Sequence, residues 1–336
     1  MIKEAISKLV NGEQINAEET LQVANEIMEG IATPAQIAAF ITALRLQGET
    51  VDNIVSFAKV MREKMVRVNC NDDVILDTCG TGGDALGTFN ISTVSAFIAA
   101  SAGIKVAKHG NRSVSSKCGC ADILEIIGAN INTSKEVAEK CLREIGICFL
   151  FAPLYHPAMK YAIGPRREIG IRTIFNILGP LCNPARANHQ LLGVFDDKLA
   201  EMMIQVLKDL GTKRALVVHG SDGLDEISTT TTTTISELKD GEIETYFIEP
   251  HNFDIKLAEI KDLIGGDAKH NAEILYSVLM NERSPIAEAC FLNAGAAIYV
   301  AGKSDSIADG VKIARELIAS GKVLKKLEAF KEMTNA

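Results

Sequence analysis

Residues 1 to about 66 carry apolar positions at helical spacing and no alternation of the strand kind. Segments 17–28 and 33–46 show it most clearly. Thr33-Pro34-Ala35-Gln36 opens the second with an N-cap, a proline at the first helical position and a capping-box glutamine. Gly48 stops that helix, and Thr50 caps another that runs to about Met65. Helices this short cannot bury all their apolar faces alone, so they must pack on each other or on a partner.

The pattern changes after residue 66, where 66–73 leads into a second kind of structure. Val74-Ile75-Leu76 ends in Gly80-Thr81-Gly82-Gly83-Asp84, and Asn90 opens an apolar segment of helical length to about Ala102. Ile104 to Ala107 ends in Lys108-His109-Gly110-Asn111-Arg112, and 120–127 is helix-like again. Strand, polar glycine-rich turn and helix thus occur twice in succession. Further helices are expected at 135–146 and 197–210, and strands at 147–151, 191–195 and 214–219. Segment 155–185 reads as loop and helix. Asp240-Gly241 between 231–238 and 242–248 signals a hairpin, and 271 onward reads as two or three helices. Asn293-Ala294-Gly295-Ala296-Ala297 predicts a close helix crossing.

Alternating strands and helices imply an α/β fold with a mostly parallel, mixed sheet. The expected division is a small all-helical domain, 1–68, and a larger α/β domain, 69–336. In such a sheet ligands sit beyond the carboxyl ends of the strands, where both glycine-rich turns fall.

Those turns suit a densely anionic ligand. Glycines let successive N–H groups converge on one point, and the helix N-termini that follow add unpaired donors. Lys108 and Arg112 add full charges; Asn90, Ser92, Thr93, Ser115 and Ser116 add neutral donors. Either turn alone is explained by capping and glycine geometry, but two in consecutive units point to phosphate. Neither is a Walker A loop or a Gly-x-Gly-x-x-Gly fingerprint.

Bulk composition narrows the field. The chain has 336 residues, 35 Lys and Arg against 43 Asp and Glu, and a formal charge of −8. That argues against nonspecific nucleic-acid binding while leaving room for a local basic pocket. No apolar run reaches membrane-spanning length and MIKEAISKLV is no signal peptide, so the expected location is the cytoplasm. Eight cysteines in such a chain are expected to be free thiols, and Cys118-Gly119-Cys120 lacks the second pair a zinc site needs.

Gly80-Thr81-Gly82-Gly83-Asp84, Asn90-Ile91-Ser92-Thr93 and Lys108-His109-Gly110-Asn111-Arg112 with Ser115-Ser116 closely resemble the anthranilate phosphoribosyltransferase family. The likeness continues through His156-Pro157-Ala158-Met159-Lys160, then through RREIGIRTIFNILGPLCNPA from Arg166 to Ala185, and ends at Asp225-Glu226. It spans most of the chain, in the family's order and approximate spacing. The resemblance implies the fold of class III phosphoribosyltransferases and nucleoside phosphorylases, with a segment around 172–184 returning to the helical domain. It implies a homodimer through that domain. It implies transfer of a phosphoribosyl group from 5-phosphoribosyl 1-diphosphate to the amine of anthranilate in tryptophan biosynthesis.

By the same resemblance, Gly80, Gly83, Asp84, Thr88, Asn90, Ile91, Ser92 and Thr93 bind phosphoribosyl diphosphate. So do Lys108, His109, Gly110, Asn111, Arg112, Ser113, Val114, Ser115, Ser116 and Cys120. Cys120 stands where the family usually has a small Ser or Ala. Gly80, Asn111, His156 and Arg166 would receive anthranilate; a guanidinium suits its carboxylate. Ser92, Asp225 and Glu226 would hold magnesium, with two ions per subunit, since this cation takes oxygen ligands and shares substrate phosphates. No acid or base is assigned, because the aromatic amine is already neutral at pH 7.

Two other readings compete. A pyrimidine-nucleoside phosphorylase of the same fold also handles a ribose, a base and an oxyanion. A non-enzymatic relative that binds nucleic acid would need a basic surface, which this acidic chain lacks. The Asn111–Arg166 pair, the RTIFNILGPLCNPA stretch and Asp225-Glu226 with its implied metal favour the transferase.

Overall fold

The computed structural model describes residues 1–84, 86–113 and 118–336. Helices α1 (Ile2–Val10), α2 (Ala17–Met28), α3 (Pro34–Gln47) and α4 (Val51–Lys64) come first. The anticipated capping box is present on α3: Gln36 N–H donates to Thr33 Oγ1 at 3.3 Å, and Gln36 Oε1 accepts from Thr33 N–H at 2.9 Å. Asn16 and Thr50 build equivalent boxes on α2 and α4, so each short helix starts with its orphan donors satisfied.

The α/β part follows as β1 (Ile75–Gly80), α5 (Ile91–Ser101), β2 (Lys105–Gly110), α6 (Cys120–Ile126), α7 (Lys135–Ile145) and β3 (Ile147–Phe151). Segment 152–182 holds the short α8 (Ala152–Tyr155), α9 (Lys160–Ile169) and α10 (Phe175–Leu178). Then come β4 (His189–Gly193), α11 (Asp197–Asp209), β5 (Arg214–Gly220), β6 (Thr233–Lys239) and β7 (Glu242–Ile248). The sheet order is β3-β2-β1-β4-β5-β6-β7. Strands β1 to β5 pair in parallel, and β6 and β7 are antiparallel. Succession runs outward in opposite directions from β1 and β4, so the topological switch point lies between them.

Each face of the sheet meets a different core. Leu191, Leu216 and Val218 point into a core with α5 and the C-terminal helices. Their neighbours Leu192, Ala215 and Val217 point the other way, into a core that includes the N-terminal helices, Ala162, Phe175, Leu178 and Leu181. Segment 162–182 thus packs with α2, α3 and α4, far from its neighbours in sequence.

Two expectations are corrected. The threonine-rich strand starts at Thr233, not Thr231, because the Asp222 carboxylate gathers the Ser228 and Thr230 hydroxyls into a preceding loop. The C-terminal part holds four helices, α12 (Ala268–Leu279), α13 (Pro285–Val300), α14 (Ile307–Ala319) and α15 (Lys322–Asn335). Only Ser320 and Gly321, the latter at φ +68°, separate α14 from α15. A break this short leaves helical periodicity almost uninterrupted.

The close crossing read from the Asn293–Ala297 stretch is present. A Cβ at Gly310 of α14 would fall on the Gly295 carbonyl oxygen of α13, and one at Gly295 would lie 2.6 Å from Val311 N. Gly310→Ala is therefore expected to destabilise the protein by about 1–3 kcal/mol through overpacking. Urea unfolding checks this, and turnover per folded molecule should be unchanged.

Candidate active site

Both glycine-rich turns lie at the carboxyl end of the sheet, beside the switch point. Gly80 ends β1 opposite Gly193 of β4. From there the chain enters the Gly82–Asp84 turn, held by Thr81 N–H donating to Gly193 O at 2.9 Å. Gly82 N–H donates to Asp225 Oδ2 at 2.9 Å. Thr88 makes an isolated bridge with Ile264, and Asn90 caps α5 by accepting from Thr93 N–H at 3.2 Å. Ile91 is fully buried, so its side chain anchors the helix rather than facing a ligand.

Across this turn lie the acids. Ser92 N–H donates to Glu226 Oε1 at 3.1 Å. Asp225 and Glu226 are half-buried, and their placement depends on glycine. A Cβ at Gly80 would stand 2.5 Å from Asp225 Oδ2, and one at Gly193 would fall inside the Asp225 carbonyl. Desolvation, then the adjacent Asp84 carboxylate, raises the Asp225 pKa to about 7. Desolvation, then Asp225, pushes Glu226 well above the carboxylate range. Acids raised in this way are a site short of positive charge.

Lys108 is 3% exposed at the end of β2. Its Nζ donates to Thr78 O at 2.7 Å and to Ser92 Oγ at 3.1 Å, tying the second turn to the first. Gly110 is needed because a Cβ would strike Cys120 Sγ and lie 2.9 Å from the Phe149 ring. Cys120 Sγ donates to Asn111 O at 3.4 Å; burial raises the thiol's pKa, so it is a packing group, not a nucleophile. None of the eight cysteines is in a disulfide.

Arg112 behaves differently from the expectation of a free cation. Its guanidinium pairs with Asp122 at 2.9 Å and Glu125 at 2.8 Å, while Ser113 N–H donates to Asp122 Oδ2 at 3.2 Å. In this arrangement Arg112 braces its own turn against α6. Val114, Ser115 and Ser116 lie outside the described residues.

His109 and His156 meet Nε2 to Nε2 at 3.2 Å. His109 Nδ1 lies 3.1 Å from the Gly179 carbonyl oxygen; a carbonyl only accepts, so Nδ1 carries the proton. The bare His109 Nε2 then faces His156 Nε2 as an acceptor. Burial, with His156 as second cause, lowers the His109 pKa to about 3; burial lowers that of His156 to about 4. The pair is neutral at pH 7 and offers no general acid.

Arg166 stands on the helical side, over the Phe175 ring at 5.2 Å. It makes no ion pair among the described residues, and burial lowers its pKa. A partly buried guanidinium without a counter-anion could receive a carboxylate.

Sequence reasoning passed over Asp77 and Asn183. Asp77 is fully buried in β1. It accepts His109 N–H at 3.2 Å and Asn183 Nδ2–H at 2.8 Å, while Asn183 also donates to Ala107 O at 2.7 Å. Burial raises the Asp77 pKa to about 6, opposed by Asn183 and Lys108. An acid set in an apolar strand, Ile75-Leu76-Asp77, was the available signal.

A family model described as glycosyl transferase family, a/b domain, matches residues 72–324. Another, described as glycosyl transferase family, helical bundle domain, matches 3–65. The anthranilate phosphoribosyltransferase of Acetivibrio thermocellus is 52% identical over 336 residues, all of this chain and 97% of that protein. The chain belongs to the anthranilate phosphoribosyltransferase family. Anthranilate phosphoribosyltransferase of Methanobrevibacter smithii is 51% identical across the whole of both chains. Among solved anthranilate phosphoribosyltransferases, that of Thermus thermophilus has a TM-score of 0.93 at 39% identity, covering 99% of each chain. That of Saccharomyces cerevisiae in complex with PRPP and Mg has a TM-score of 0.90 at 27% identity, covering 99% of this chain and 98% of that one. The fold expected from sequence, a helical domain joined to an α/β domain with a mixed sheet, is the anthranilate phosphoribosyltransferase fold.

Proposed function

We infer that this chain transfers the phosphoribosyl group of 5-phosphoribosyl 1-diphosphate to the amine of anthranilate, giving N-(5-phosphoribosyl)anthranilate and diphosphate, in tryptophan biosynthesis. The observation that carries this reading is the meeting of Asp84, Asp225 and Glu226 with the donor-rich turns at Gly80–Asp84 and Asn90–Thr93. Anionic oxygens alone would repel a diphosphate; with a bridging cation they fit one.

The donor set fits magnesium. It is all oxygen, with carboxylates of raised pKa and Ser92, whose N–H bonds Glu226, adding a hydroxyl. Asp225, Glu226 and Ser92 would hold the cation, two ions per subunit, with Asp84 alongside. Magnesium would neutralise charge on the diphosphate as it leaves.

The protein groups do the rest by position. The turns at 80–84 and 90–93, with Thr88, hold the diphosphate end. Lys108 and residues 109–116, with Cys120 packed against Gly110, hold the phosphoribosyl end. Arg166 fixes the anthranilate carboxylate, and Gly80, Asn111 and His156 line the space for its ring and amine. The amine attacks C1 as diphosphate departs, in a single displacement with inversion. The neutral amine needs no base before attack, and the neutral histidine pair keeps the pocket from competing for the carboxylate. Orientation and charge stabilisation supply the rate.

The proposal extends to assembly and place. The helical unit, 1–68 with 172–184, leaves Val10, Ile31 and Leu46 exposed, which supports a homodimer through that unit. No helix among the described residues is long and apolar enough to cross a membrane. The acidic chain is taken to work in the cytoplasm, with small-molecule substrates and without nucleic acid.

Loss of anthranilate fluorescence on adding phosphoribosyl diphosphate tests the reaction. It should require magnesium and release diphosphate; no loss under any magnesium concentration would overturn the reading. Within it, Arg166→Ala should raise the anthranilate KM by about 100-fold, the cost of losing a bidentate charge-assisted contact. The KM for phosphoribosyl diphosphate should stay within about twofold, and equal effects on both would refute the assignment.

A further inference from the structure

The turn that carries Gly83 and Asp84 is gripped from the helical side by a residue with no assigned role. Arg172 follows α9, which ends at Gly170 in the left-handed conformation with φ 62°. Immediately after it, Thr173 N–H donates to Asn176 Oδ1 at 2.9 Å, and Ile174 and Phe175 are buried in the core shared with α2, α3 and α4. The Arg172 backbone therefore belongs to the helical unit. Its side chain leaves it. The guanidinium lies over the Phe195 ring at 4.2 Å, just past β4, and Nη2–H donates to the Gly83 carbonyl oxygen.

The fit is close on both sides. Gly83 has φ +90°, and a Cβ there would stand 2.5 Å from Arg172 Nη2. Glycine at 83 thus serves the turn's left-handed backbone and the approach of the guanidinium together. The next residue is Asp84, which lies against Asp225. Elsewhere in the turn, Thr81 N–H and Gly82 N–H bond to Gly193 O and Asp225 Oδ2. Both of those bonds come from the sheet side. Arg172 supplies the contact from the opposite side. Arginine suits this task because one planar group can stack on a ring and donate in its own plane.

We propose that Arg172 is a positioning residue that clamps the Gly83–Asp84 turn of the phosphoribosyl diphosphate site to the helical unit. It acts through the turn, not on the reacting atoms. This rests on the transferase reading above. The guanidinium makes no ion pair among the described residues. Its work is done by one hydrogen bond to a carbonyl and one stacking contact. Loss of the clamp leaves the acids and Lys108 in place but lets the turn sample positions that miss the diphosphate. The penalty then falls on binding of that substrate.

The test uses the full-length protein and three variants, Arg172→Ala, Arg172→Lys and Phe195→Leu, with steady-state kinetics and calorimetric titration of phosphoribosyl diphosphate with magnesium. Arg172→Ala should raise the KM and Kd for phosphoribosyl diphosphate by about tenfold or more. The anthranilate KM and kcat should each stay within about threefold. Arg172→Lys should recover part of the loss, since an ammonium can donate to Gly83 O but cannot stack as a plane. Phe195→Leu should give a smaller shift in the same direction.

A kcat loss with unchanged Kd would place Arg172 on the reacting atoms and overturn the proposal. Equal rises in both KM values, with a lowered thermal midpoint and no rescue by lysine, would show a merely structural residue and also overturn it. Wild-type protein in the same assay separates the two levels. Failure of the wild type to turn over would sink the transferase reading itself; an active wild type with an unaffected Arg172→Ala would sink only the clamp.

Discussion

Asp225→Asn combined with Glu226→Gln is expected to abolish turnover and the response to magnesium while making the ligand-free protein more stable. The two effects share one cause. The acids are held in a desolvated cluster with Asp84, where their charged forms are disfavoured. In the complex a cation offsets that cost; without it the cost is borne by the fold. Removing both carboxylates should lower kcat/KM by at least about 10³-fold. Removing the crowded, partly desolvated charge should raise the thermal midpoint of the ligand-free protein by about 2 °C or more.

The pH dependence has a definite sign. Asp225 titrates at about 7 in the folded chain, above its ordinary 3.8. Between those values the folded protein keeps a proton that the unfolded chain has released. The stability this contributes is complete below 3.8 and is lost as pH rises through about 7. Ligand-free wild type should therefore lose stability relative to the double variant as pH rises from about 4 to about 7. Magnesium affinity should move the opposite way, since the ligands must be deprotonated. Thermal unfolding across pH, with and without magnesium and phosphoribosyl diphosphate, checks both. Retained magnesium-stimulated turnover in the double variant would remove Asp225 and Glu226 from the metal site.

Gly193→Ala should be nearly as damaging, although it adds only a methyl group and changes no charge. The added Cβ would fall inside the Asp225 carbonyl, so the Asp225–Glu226 loop must move off the end of β4. The strand cannot yield, because Gly193 is paired on both sides, with Gly80 and Val218. Overpacking of this kind costs about 1–3 kcal/mol, and a displacement of the acids by about 1 Å is enough for roughly 100-fold in rate. Kinetics alongside urea unfolding would show activity falling much further than stability. An active Gly193→Ala protein with unchanged magnesium dependence would contradict the close packing of loop on strand. Gly80→Ala, whose Cβ meets the Asp225 carboxylate instead of its backbone, should be milder because a side chain can rotate.

Much of this site was legible because its chemistry is local. The Gly80–Asp84 turn, the Asn90 cap and the Lys108–Arg112 turn each follow from residues adjacent in the chain, and the structure places them at one end of one sheet. Arg166 was singled out through the family resemblance and the match of a guanidinium to a carboxylate, and it makes no ion pair among the described residues. Arg112 was legible as a cation but not as a brace, because its partners Asp122 and Glu125 lie on the far side of a turn. Asp77 and Arg172 escaped notice because their contacts, Asn183 and Gly83, are distant in sequence.

The sequence by itself determined the helical start, the repeated strand-turn-helix units, the hairpin and the identity of the polar groups. Caps, turns and periodicity act over a few residues, so their signals survive in a linear string. Only the tertiary structure decided which of those groups share a site. Gly82 meets Asp225 across 143 positions and Ser92 meets Glu226 across 134. Those meetings depend on β4 pairing with β1, an order that no local pattern records. The same pairing brings Gly193 under Asp225 and turns segment 162–182 back onto the helical unit. Burial then raised the acids and lowered the histidines, because a group's pKa belongs to its surroundings and not to its residue type.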